Sequence, residues 1–318
     1  MKAYFAILST LAAASATQAS IFNVPGSHQT IAEAVTAAEH GDTILVGPGE
    51  WAESVDFRGK QITIRSTDGP EATTLISSPN RSCVTFISGE TSDALLEGFT
   101  ITGGFGMPYQ GAIVGGGIYL IDGSNPTIRD CVIRNNEAQF GGGVHIALSS
   151  PTFDNCTFTE NSSVSNGGAV RIHDNSFPTF IECTFVNNHT NDFGGAIAYG
   201  NDSTGSHVNC IFDGNTADIR GGAIYLGCSC SDAQVGGSDF CNSVPDHIVG
   251  GWSDNGGNDW CPVCEDDINA DGTVNVEDLL SVIANWGACV CIEDINGDAL
   301  VDVNDLLLVI QDWGTCPG

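Results

Sequence analysis

Acidic and amide side chains recur in a fixed order near the C-terminus of this 318-residue chain. Residues 261–318 contain no Lys or Arg, and they hold a duplication with a period of 27 residues. Each copy places side-chain oxygens at positions 1, 3, 5, 9 and 12 of a loop, and a backbone carbonyl at position 7. Calcium takes six to eight oxygen ligands and fits this pattern. The predicted ligands of two calcium ions are Asp267, Asn269, Asp271, Thr273, Asn275 and Asp278 in the first loop, and Asp294, Asn296, Asp298, Leu300, Asp302 and Asp305 in the second.

Both loops differ from an EF-hand in the same way. Each ends in Asp (Asp278 and Asp305) rather than Glu, and each lacks the helix that precedes an EF-hand loop, although an apolar run that predicts a helix follows it. In these features residues 261–318 resemble a dockerin type I domain. The resemblance implies calcium-dependent folding and docking to a cohesin-like module, and attachment to another partner in the cell envelope is the alternative. Loop position 6 is Gly272 in the first copy but Ala299 in the second, which predicts a weaker second site.

The thirteen cysteines fall into two groups. Near the C-terminus they bracket the two loops and a Gly/Asn/Asp-rich segment, so we expect the disulfide bonds Cys264–Cys289, Cys291–Cys316 and Cys241–Cys261. A zinc site that includes Cys261 and Cys264 is the rival interpretation. In the middle of the chain a column of cysteines predicts buried thiols, with pairing between stacked neighbours as the alternative: Cys131, Cys156, Cys183 and Cys210. The pairing of Cys83, Cys228 and Cys230 stays open.

A second group of reactive side chains appears when the middle of the chain is aligned on its glycine clusters. Tyr119, His145 and Arg171 then share one column, and His173 falls in the next column on the same face. Aromatic, imidazole and guanidinium groups on one ridge can hold a saccharide, or act as base and charge stabiliser. Ordinary surface decoration is the alternative for the same four residues.

Repetition indicates the elements that would position this ridge. Glycine clusters begin at Gly115, Gly141, Gly167, Gly194 and Gly221, in steps of 26 or 27 residues. Each cysteine of the central column is followed two residues later by an apolar residue and five residues later by an asparagine: Ile133, Phe158, Phe185 and Phe212, then Asn136, Asn161, Asn188 and Asn215. Short alternating strands between tight turns cannot bury their own apolar face, so the coils must stack. The pattern predicts an all-β solenoid, a parallel β-helix with asparagine ladders at one turn.

The N-terminal region predicts the start of the same solenoid. Residues 30–38 form an amphipathic pattern that fits a capping helix, and residues 43–46, 61–65 and 83–87 read as strands.

Two stretches resemble known β-helical proteins. The segment from Val24 to Trp51 resembles the opening coil of the pectin-lyase-like superfamily, and pairs such as Phe158–Asn161 with Gly167–Val170 resemble the repeats of polymorphic outer-membrane adhesins. The resemblance implies a right-handed parallel β-helix, which we assign to residues 20–260, before the dockerin-like residues 261–318. It also implies that any enzymatic activity would be that of a polysaccharide lyase or a glycoside hydrolase.

Binding and catalysis both remain open for the β-helix. Regular glycine-rich coils without long loops, and few basic residues, favour a carbohydrate-binding or adhesive protein at the cell surface. Dockerin-like attachment favours the alternative, an enzyme that degrades an extracellular polysaccharide.

Charge and the N-terminus restrict the partners and the location. The formal net charge is −30, with nine Lys and Arg against 39 Asp and Glu, which excludes nucleic acid and anionic membrane surfaces as partners. Residues 1–19 resemble a signal peptide, with Lys2 before an apolar run and small residues near Ala19. The run is too short for a membrane span. We therefore expect a secreted protein, extracellular or at the cell surface.

Overall fold

The computed structural model describes most of the chain between residues 18 and 315. The described residues are 18–200, 202–227, 233–260, 268, 273–288, 293, 295, 300–311 and 313–315. The predicted signal peptide, except for its last two residues, and the predicted domain boundary at residue 261 lie outside them.

Three parallel sheets run along the length of the molecule. The ten-stranded sheet contains Ile21–Val24, Thr43–Val46, Thr63–Ser66, Leu95–Glu97, Thr127–Arg129, Thr152–Asp154, Thr179–Ile181, Ser206–Val208, Ala233–Gly236 and Trp252–Asp254. The nine-stranded sheet contains Gly49–Ala52, Thr73–Ile76, Thr100–Thr102, Val132–Arg134, Thr157–Thr159, Thr184–Val186, Ile211–Asp213, Asp239–Cys241 and Asp259–Trp260. The eight-stranded sheet, which carries the ridge, contains Val55–Asp56, Val84–Phe86, Ile118–Leu120, Val144–Ala147, Val170–His173, Ile197–Tyr199, Ile224–Leu226 and Ile248–Val249.

Successive strands of the chain belong to different sheets, and each pairs with the strand one coil later. This connectivity is that of a parallel β-helix and confirms the predicted solenoid. A smaller four-stranded sheet lies at one turn and contains Glu137–Ala138, Ser162–Ser163, His189–Thr190 and Thr216–Ala217.

Identical side chains stack on each other inside the coils. The rings of Phe158, Phe185, Phe212 and Phe240 lie nearly parallel, with centroids 4.6, 4.8 and 4.7 Å apart. This spacing equals the distance between neighbouring strands, about 4.8 Å. Each ring is fully buried, while the residues on either side of it in the strand are partly exposed. The alternation seen in the sequence therefore separates the core from the surface, as predicted.

The asparagine column forms a hydrogen-bonded ladder. Nδ2 of Asn136, Asn161 and Asn188 donates to Oδ1 of the next asparagine at 3.1, 3.0 and 2.9 Å. Each of these amides also donates to a backbone carbonyl of the preceding coil, as Asn161 does to Ile133 at 2.8 Å. All four asparagines are buried, so the ladder satisfies polar groups that water does not reach.

The central cysteines are buried free thiols, as predicted. Cys131, Cys156, Cys183 and Cys210 occupy equivalent places beside the phenylalanine stack, and Cys83 is also a buried free thiol. Cys241 is disulfide-bonded. Its predicted pairing with Cys261 stays a prediction, because the other cysteines of the predicted disulfides lie outside the described residues: Cys261, Cys264, Cys289, Cys291 and Cys316.

Helix α1, Ile31–Ala37, covers the N-terminal end of the core, as predicted. Thr30 caps it by accepting a hydrogen bond from the backbone N–H of Glu33 at 3.1 Å. Ile31, Ala34 and Val35 are buried against the first coil. The predicted strand at 43–46 has the observed bounds, whereas those predicted at 61–65 and 83–87 are shorter or shifted: Thr63–Ser66 and Val84–Phe86.

The C-terminal duplication folds into two equivalent units with a core of their own. Helices α2, Val276–Ala284, and α3, Val303–Gln311, each follow a two-residue strand. These strands pair crosswise and antiparallel: Thr273–Val274 with Gly314–Thr315, and Leu300–Val301 with Gly287–Ala288. Val274, Val282, Val301 and Val309 form the buried core. No helix among the described residues has the length and apolar character needed to cross a bilayer.

Replacing Asn188 by Ala should destabilise the β-helix by about 3 kcal/mol, because it removes the ladder hydrogen bonds to Asn161 and Asn215 and the bond to the Phe158 carbonyl, and leaves buried partners unsatisfied. Chemical denaturation of the full chain measures this. The exposed Asn255 is the matched control, and its replacement by Ala should change the free energy of unfolding by less than about 0.5 kcal/mol. Equal effects of the two substitutions would contradict a stabilising role of the ladder.

Candidate functional site

The ridge residues lie on one face of the eight-stranded sheet, in the register that the glycine alignment predicts. Tyr119 pairs with His145, and His145 with Arg171, on successive strands. His173 lies two residues along from Arg171 and therefore faces the same side. The prediction that this ridge is open to solvent is wrong: Tyr119, His145 and His173 are only 5%, 2% and 9% exposed.

A β-hairpin covers the ridge, which is why these side chains are buried. Its strands are Met107–Tyr109 and Ala112–Val114, and they pair antiparallel. Gln110 and Gly111 both have positive φ values, 47° and 86°, as a two-residue type I′ turn requires. The expectation of regular coils without long loops is therefore wrong for this coil, since the hairpin forms a wall over the ridge.

Two backbone contacts hold the hairpin in place, one between its own arms and one to the next coil. A Cβ atom at Gly106 would lie 2.6 Å from the carbonyl oxygen of Val114, so glycine is required where the two arms meet. Val114 also forms a parallel bridge to Phe140 of the next coil. The hairpin is thus joined to the stack at its second arm.

Tyr109 of the hairpin brings its ring over the ridge. The centroid of Tyr109 lies 5.5 Å from that of His145, 5.9 Å from that of His173 and 6.2 Å from that of Tyr119. The Tyr119 and His145 rings stack at 5.8 Å. Four aromatic or imidazole rings therefore form one cluster between the hairpin and the sheet.

Asp174 and the two histidines form a chain of polar contacts. Asp174 Oδ2 lies 2.9 Å from His173 Nδ1, and His173 Nε2 lies 3.0 Å from His145 Nε2. A carboxylate accepts hydrogen bonds, so His173 donates through Nδ1 and keeps a lone pair on Nε2 when it is neutral. His145 Nδ1 is buried and has no hydrogen-bond partner among the described residues.

Burial shifts the pKa values of the histidines and of Tyr119 in the cluster. It lowers the pKa of His145 well below the ordinary value of 6.5, and the charges of His173 and Arg171 add to this effect. Burial also lowers the pKa of His173, although the Asp174 carboxylate acts in the opposite direction. Burial raises the pKa of Tyr119 to about 12, with Tyr109 and Asp122 acting in the same direction. Both histidines are therefore neutral at pH 7.

Arg171 supplies a positive charge to the same pocket. Burial lowers its pKa to about 10, so the guanidinium stays charged at neutral pH. It lies over Gly200, where a Cβ atom would come within 2.6 Å of Nη2. No carboxylate among the described residues forms an ion pair with it, and Nη1 makes only a long contact of 3.5 Å to the Ala198 carbonyl.

The pocket between hairpin and sheet has a volume of about 220 Å³. The sequence prediction identified three of its lining residues, His145, Arg171 and His173, and Asp174 lines it as well. It missed the hairpin residues and Phe140. The Gln110–Gly111 pair between short apolar segments was the available signal, because such a pair suits a tight hairpin turn. The other lining residues are Tyr109, Gln110, Ala112, Val114 and Phe140.

Part of the predicted calcium site belongs to the described residues. Asp278 and Asp305 are fully buried in the first turns of α2 and α3. In each unit one carboxylate oxygen accepts a hydrogen bond at 2.8 Å from the backbone N–H three residues earlier, that of Asn275 or Asp302. Calcium binding by these two acids stays a prediction. The other predicted side-chain ligands lie outside the described residues: Asp267, Asn269, Asp271, Asp294, Asn296 and Asp298.

Comparison with known proteins identifies the kind of fold. A family model described as a right-handed β-helix region matches residues 73–240, more than half of the chain. No curated protein matches the chain.

Solved pectin methylesterases have similar structures at low sequence identity. The enzyme from Erwinia chrysanthemi is 10% identical, with a TM-score of 0.49 over 75% of this chain and 82% of that chain. The enzyme from Aspergillus niger is 12% identical, with a TM-score of 0.46 over 77% and 86% of the two chains. The enzyme from carrot is 14% identical, with a TM-score of 0.44 over 76% and 83%.

Replacing Tyr109 by Ala should raise the pKa of His145 toward 6.5, because it removes part of the cover that desolvates the imidazole. Titration of the imidazole by nitrogen-detected NMR measures the shift. Pro108 lies exposed on the same hairpin, and its replacement by Ala should leave the titration unchanged. An unchanged pKa in the Tyr109 variant would show that the hairpin does not desolvate His145.

Proposed function

The chain belongs to the right-handed β-helix family, and we propose that it is a secreted saccharide-binding protein with a calcium-binding module for attachment at the cell surface. The saccharide would bind in the pocket between the hairpin and the eight-stranded sheet. The C-terminal module would bind two calcium ions and dock to a partner in the envelope.

The pocket beneath the hairpin is the observation that carries the proposal. It combines the Tyr109 ring with a charged guanidinium at Arg171 and an imidazole at His173. Ligand sites are typically concave, with aromatic walls and a few converging polar groups. A tyrosine ring packs against the apolar face of a sugar, while the Arg171 guanidinium can donate hydrogen bonds to its oxygens.

The size and charge of the pocket restrict the ligand. A volume of about 220 Å³ suits one ring of a longer chain rather than a large ligand. Arg171 is a local positive charge on a strongly acidic protein, and no carboxylate among the described residues forms an ion pair with it. The pocket therefore suits an oxygen-rich ligand whose hydroxyl or carboxylate groups approach this guanidinium.

The exposed surface of the C-terminal module supports a role in attachment, in addition to its predicted calcium ligands. Apolar side chains at equivalent positions of the two units are about half exposed: Leu280 and Leu307, Ile283 and Ile310, and Trp286 and Trp313. Exposed apolar patches of this kind mark protein interaction sites. A dockerin-like module that meets a cohesin-like or other envelope protein through these side chains accounts for both the acids and the apolar surface.

A polysaccharide lyase or glycoside hydrolase is the second candidate, and the contact between Asp174 and His173 favours it. The carboxylate orients the imidazole and would stabilise it after it takes a proton, as general base catalysis requires. Arg171 is in the same pocket and could neutralise a substrate carboxylate. A panel of polysaccharides assayed for unsaturated uronate absorbance and for reducing sugar tests this candidate. Turnover that is lost in His173→Gln would replace the binding-only proposal.

Replacing Arg171 by Gln should weaken saccharide binding at least tenfold, about 1.4 kcal/mol, because it removes the positive charge from the pocket. Calorimetry against oligosaccharides selected on a glycan array measures this with the full chain. Arg134 is exposed on a different sheet, and Arg134→Gln is the control that should bind like the unmodified protein. Binding that is equal in all three proteins, or absent from the unmodified protein, would reject the pocket as a saccharide site.

Replacing Asp278 or Asp305 by Ala should remove one calcium ion of two, because each substitution deletes a buried carboxylate ligand. Calorimetric titration of the full chain with calcium measures the number of sites. The Asp305 variant should lose the weaker site, since Ala299 replaces the loop glycine in that unit. The exposed Asp259, replaced by Asn, serves as the control. Uptake of no calcium by the unmodified protein would overturn this part of the proposal.

A further inference from the structure

The accessible part of the ridge begins at Arg171 and extends in one direction only. Toward the N-terminal end, the outward-facing residues of the preceding strands, Thr85, Tyr119 and His145, are all buried. Tyr109 of the hairpin lies over this part of the sheet, with ring contacts to Tyr119 and His145. Arg171 is the next residue of the same column and is partly exposed. The hairpin therefore blocks the path from the pocket toward the N-terminal coils.

The pocket is also bounded along the direction of the strands. Phe140 precedes the strand Val144–Ala147, Asp174 follows the strand Val170–His173, and both residues line the pocket. A compact space of about 220 Å³ is about 6 Å across, so a single sugar ring fills it. With the hairpin on one side and these two residues at the ends of the strands, the remaining exit leads along the sheet toward the C-terminal coils.

The C-terminal coils present a second aromatic group in the same column. Ala198 pairs with Arg171, and Tyr225 pairs with Ala198. Two strand steps of about 4.8 Å therefore separate Arg171 from Tyr225, about 9.6 Å in all. Tyr225 is partly exposed, and its ring stacks on that of Phe193 with centroids 4.5 Å apart and planes inclined at 22°. This pair of rings lies beyond the reach of a ligand that is confined to the pocket.

Two glycines allow Arg171 and Tyr225 to lie close to the backbone of the sheet. Gly200 and Gly227 occupy equivalent places in successive coils, each two residues after the column. A Cβ atom at Gly200 would lie 2.6 Å from Arg171 Nη2, and a Cβ atom at Gly227 would lie 2.6 Å from Tyr225 Cε1. The guanidinium thus extends over the next coil, in the direction of Tyr225. The two side chains continue the floor of the pocket along the axis of the solenoid.

We propose that the pocket binds the terminal ring of a linear saccharide chain, and that the chain runs from Arg171 along the solenoid axis to Tyr225. This inference rests on the proposed saccharide site and specifies which part of a polysaccharide it binds. The terminal ring packs against Tyr109, the guanidinium donates hydrogen bonds to oxygens near the first glycosidic bond, and Tyr225 packs against a later unit. An internal segment of a chain does not fit, because one of its arms would have to pass through the hairpin.

Chains with blocked ends test which part of the saccharide is bound. The probes for the full chain are linear oligogalacturonates and xylo-oligosaccharides, an acidic and a neutral series from the disaccharide to the octasaccharide, together with the series that binds most tightly on the glycan array. A bulky aromatic group on one end of the octasaccharide should abolish binding, whereas the same group on the other end should leave it unchanged. Equal binding of the two blocked forms would overturn the proposal, and this comparison requires no protein variant.

The dependence of affinity on chain length tests the contact with Tyr225. Calorimetry should show an affinity that rises from the disaccharide and becomes constant once the chain reaches Tyr225. A steady rise over the whole series would indicate internal binding and overturn the proposal. Tyr225→Ala should weaken binding of the longer chains about tenfold and leave disaccharide binding unchanged, because only the distant contact is lost.

Two further variants serve as controls for the Tyr225 substitution. Tyr225→Phe keeps the ring and should retain most of the affinity for longer chains, and Trp260→Ala removes an exposed aromatic side chain from the nine-stranded sheet and should bind like the unmodified protein. Thermal unfolding followed by circular dichroism checks that each variant is folded. An unchanged length dependence in Tyr225→Ala would overturn the extended contact. Failure of the unmodified protein to bind any glycan on the array would instead reject the proposed saccharide site itself.

Discussion

The structure depends on the distance between neighbouring parallel strands, about 4.8 Å. Because every coil lies one such step from the next, a residue type that packs well against a copy of itself can be repeated at one place in each coil. Phenylalanine does so by face-to-face stacking, and asparagine by a chain of amide hydrogen bonds. The glycine clusters follow from the same constraint. A Cβ atom at Gly142 would lie 2.1 Å from the carbonyl oxygen of Ser162 in the next coil.

This constraint explains which parts of the fold the sequence predicts. Columns repeated every 26 or 27 residues indicate the register directly, so the sequence alone predicts that Tyr119, His145 and Arg171 lie side by side on successive strands. The same periodicity predicts the buried free thiols, since Cys156 and Cys183 occupy equivalent places in the core. Where a side chain packs against the equivalent residue of the next coil, the sequence period alone predicts its position.

The hairpin shows where this kind of reasoning fails. It occurs once, so no column records it, and its turn at Gln110 and Gly111 is a local signal only. Its effect is nonetheless large, because it converts an expected surface ridge into a buried cluster with shifted histidine pKa values. Periodicity gave the positions of His145 and His173, but the cover that determines their chemistry lies outside the repeat. The two C-terminal helices are predictable for a different reason, since the two copies of the duplication have the same spacing.

The position of the hairpin within the stack has a consequence for the dynamics of the pocket. In a solenoid each coil contacts only its neighbours, so local opening starts at the ends and moves inward. The pocket lies between residues 109 and 174, with further coils on both sides of it and helix α1 over the N-terminal end. If the strand Trp252–Asp254 unfolds, several folded coils therefore still separate it from His173. The strands beneath the pocket should accordingly open least often, and their amide hydrogens should exchange most slowly.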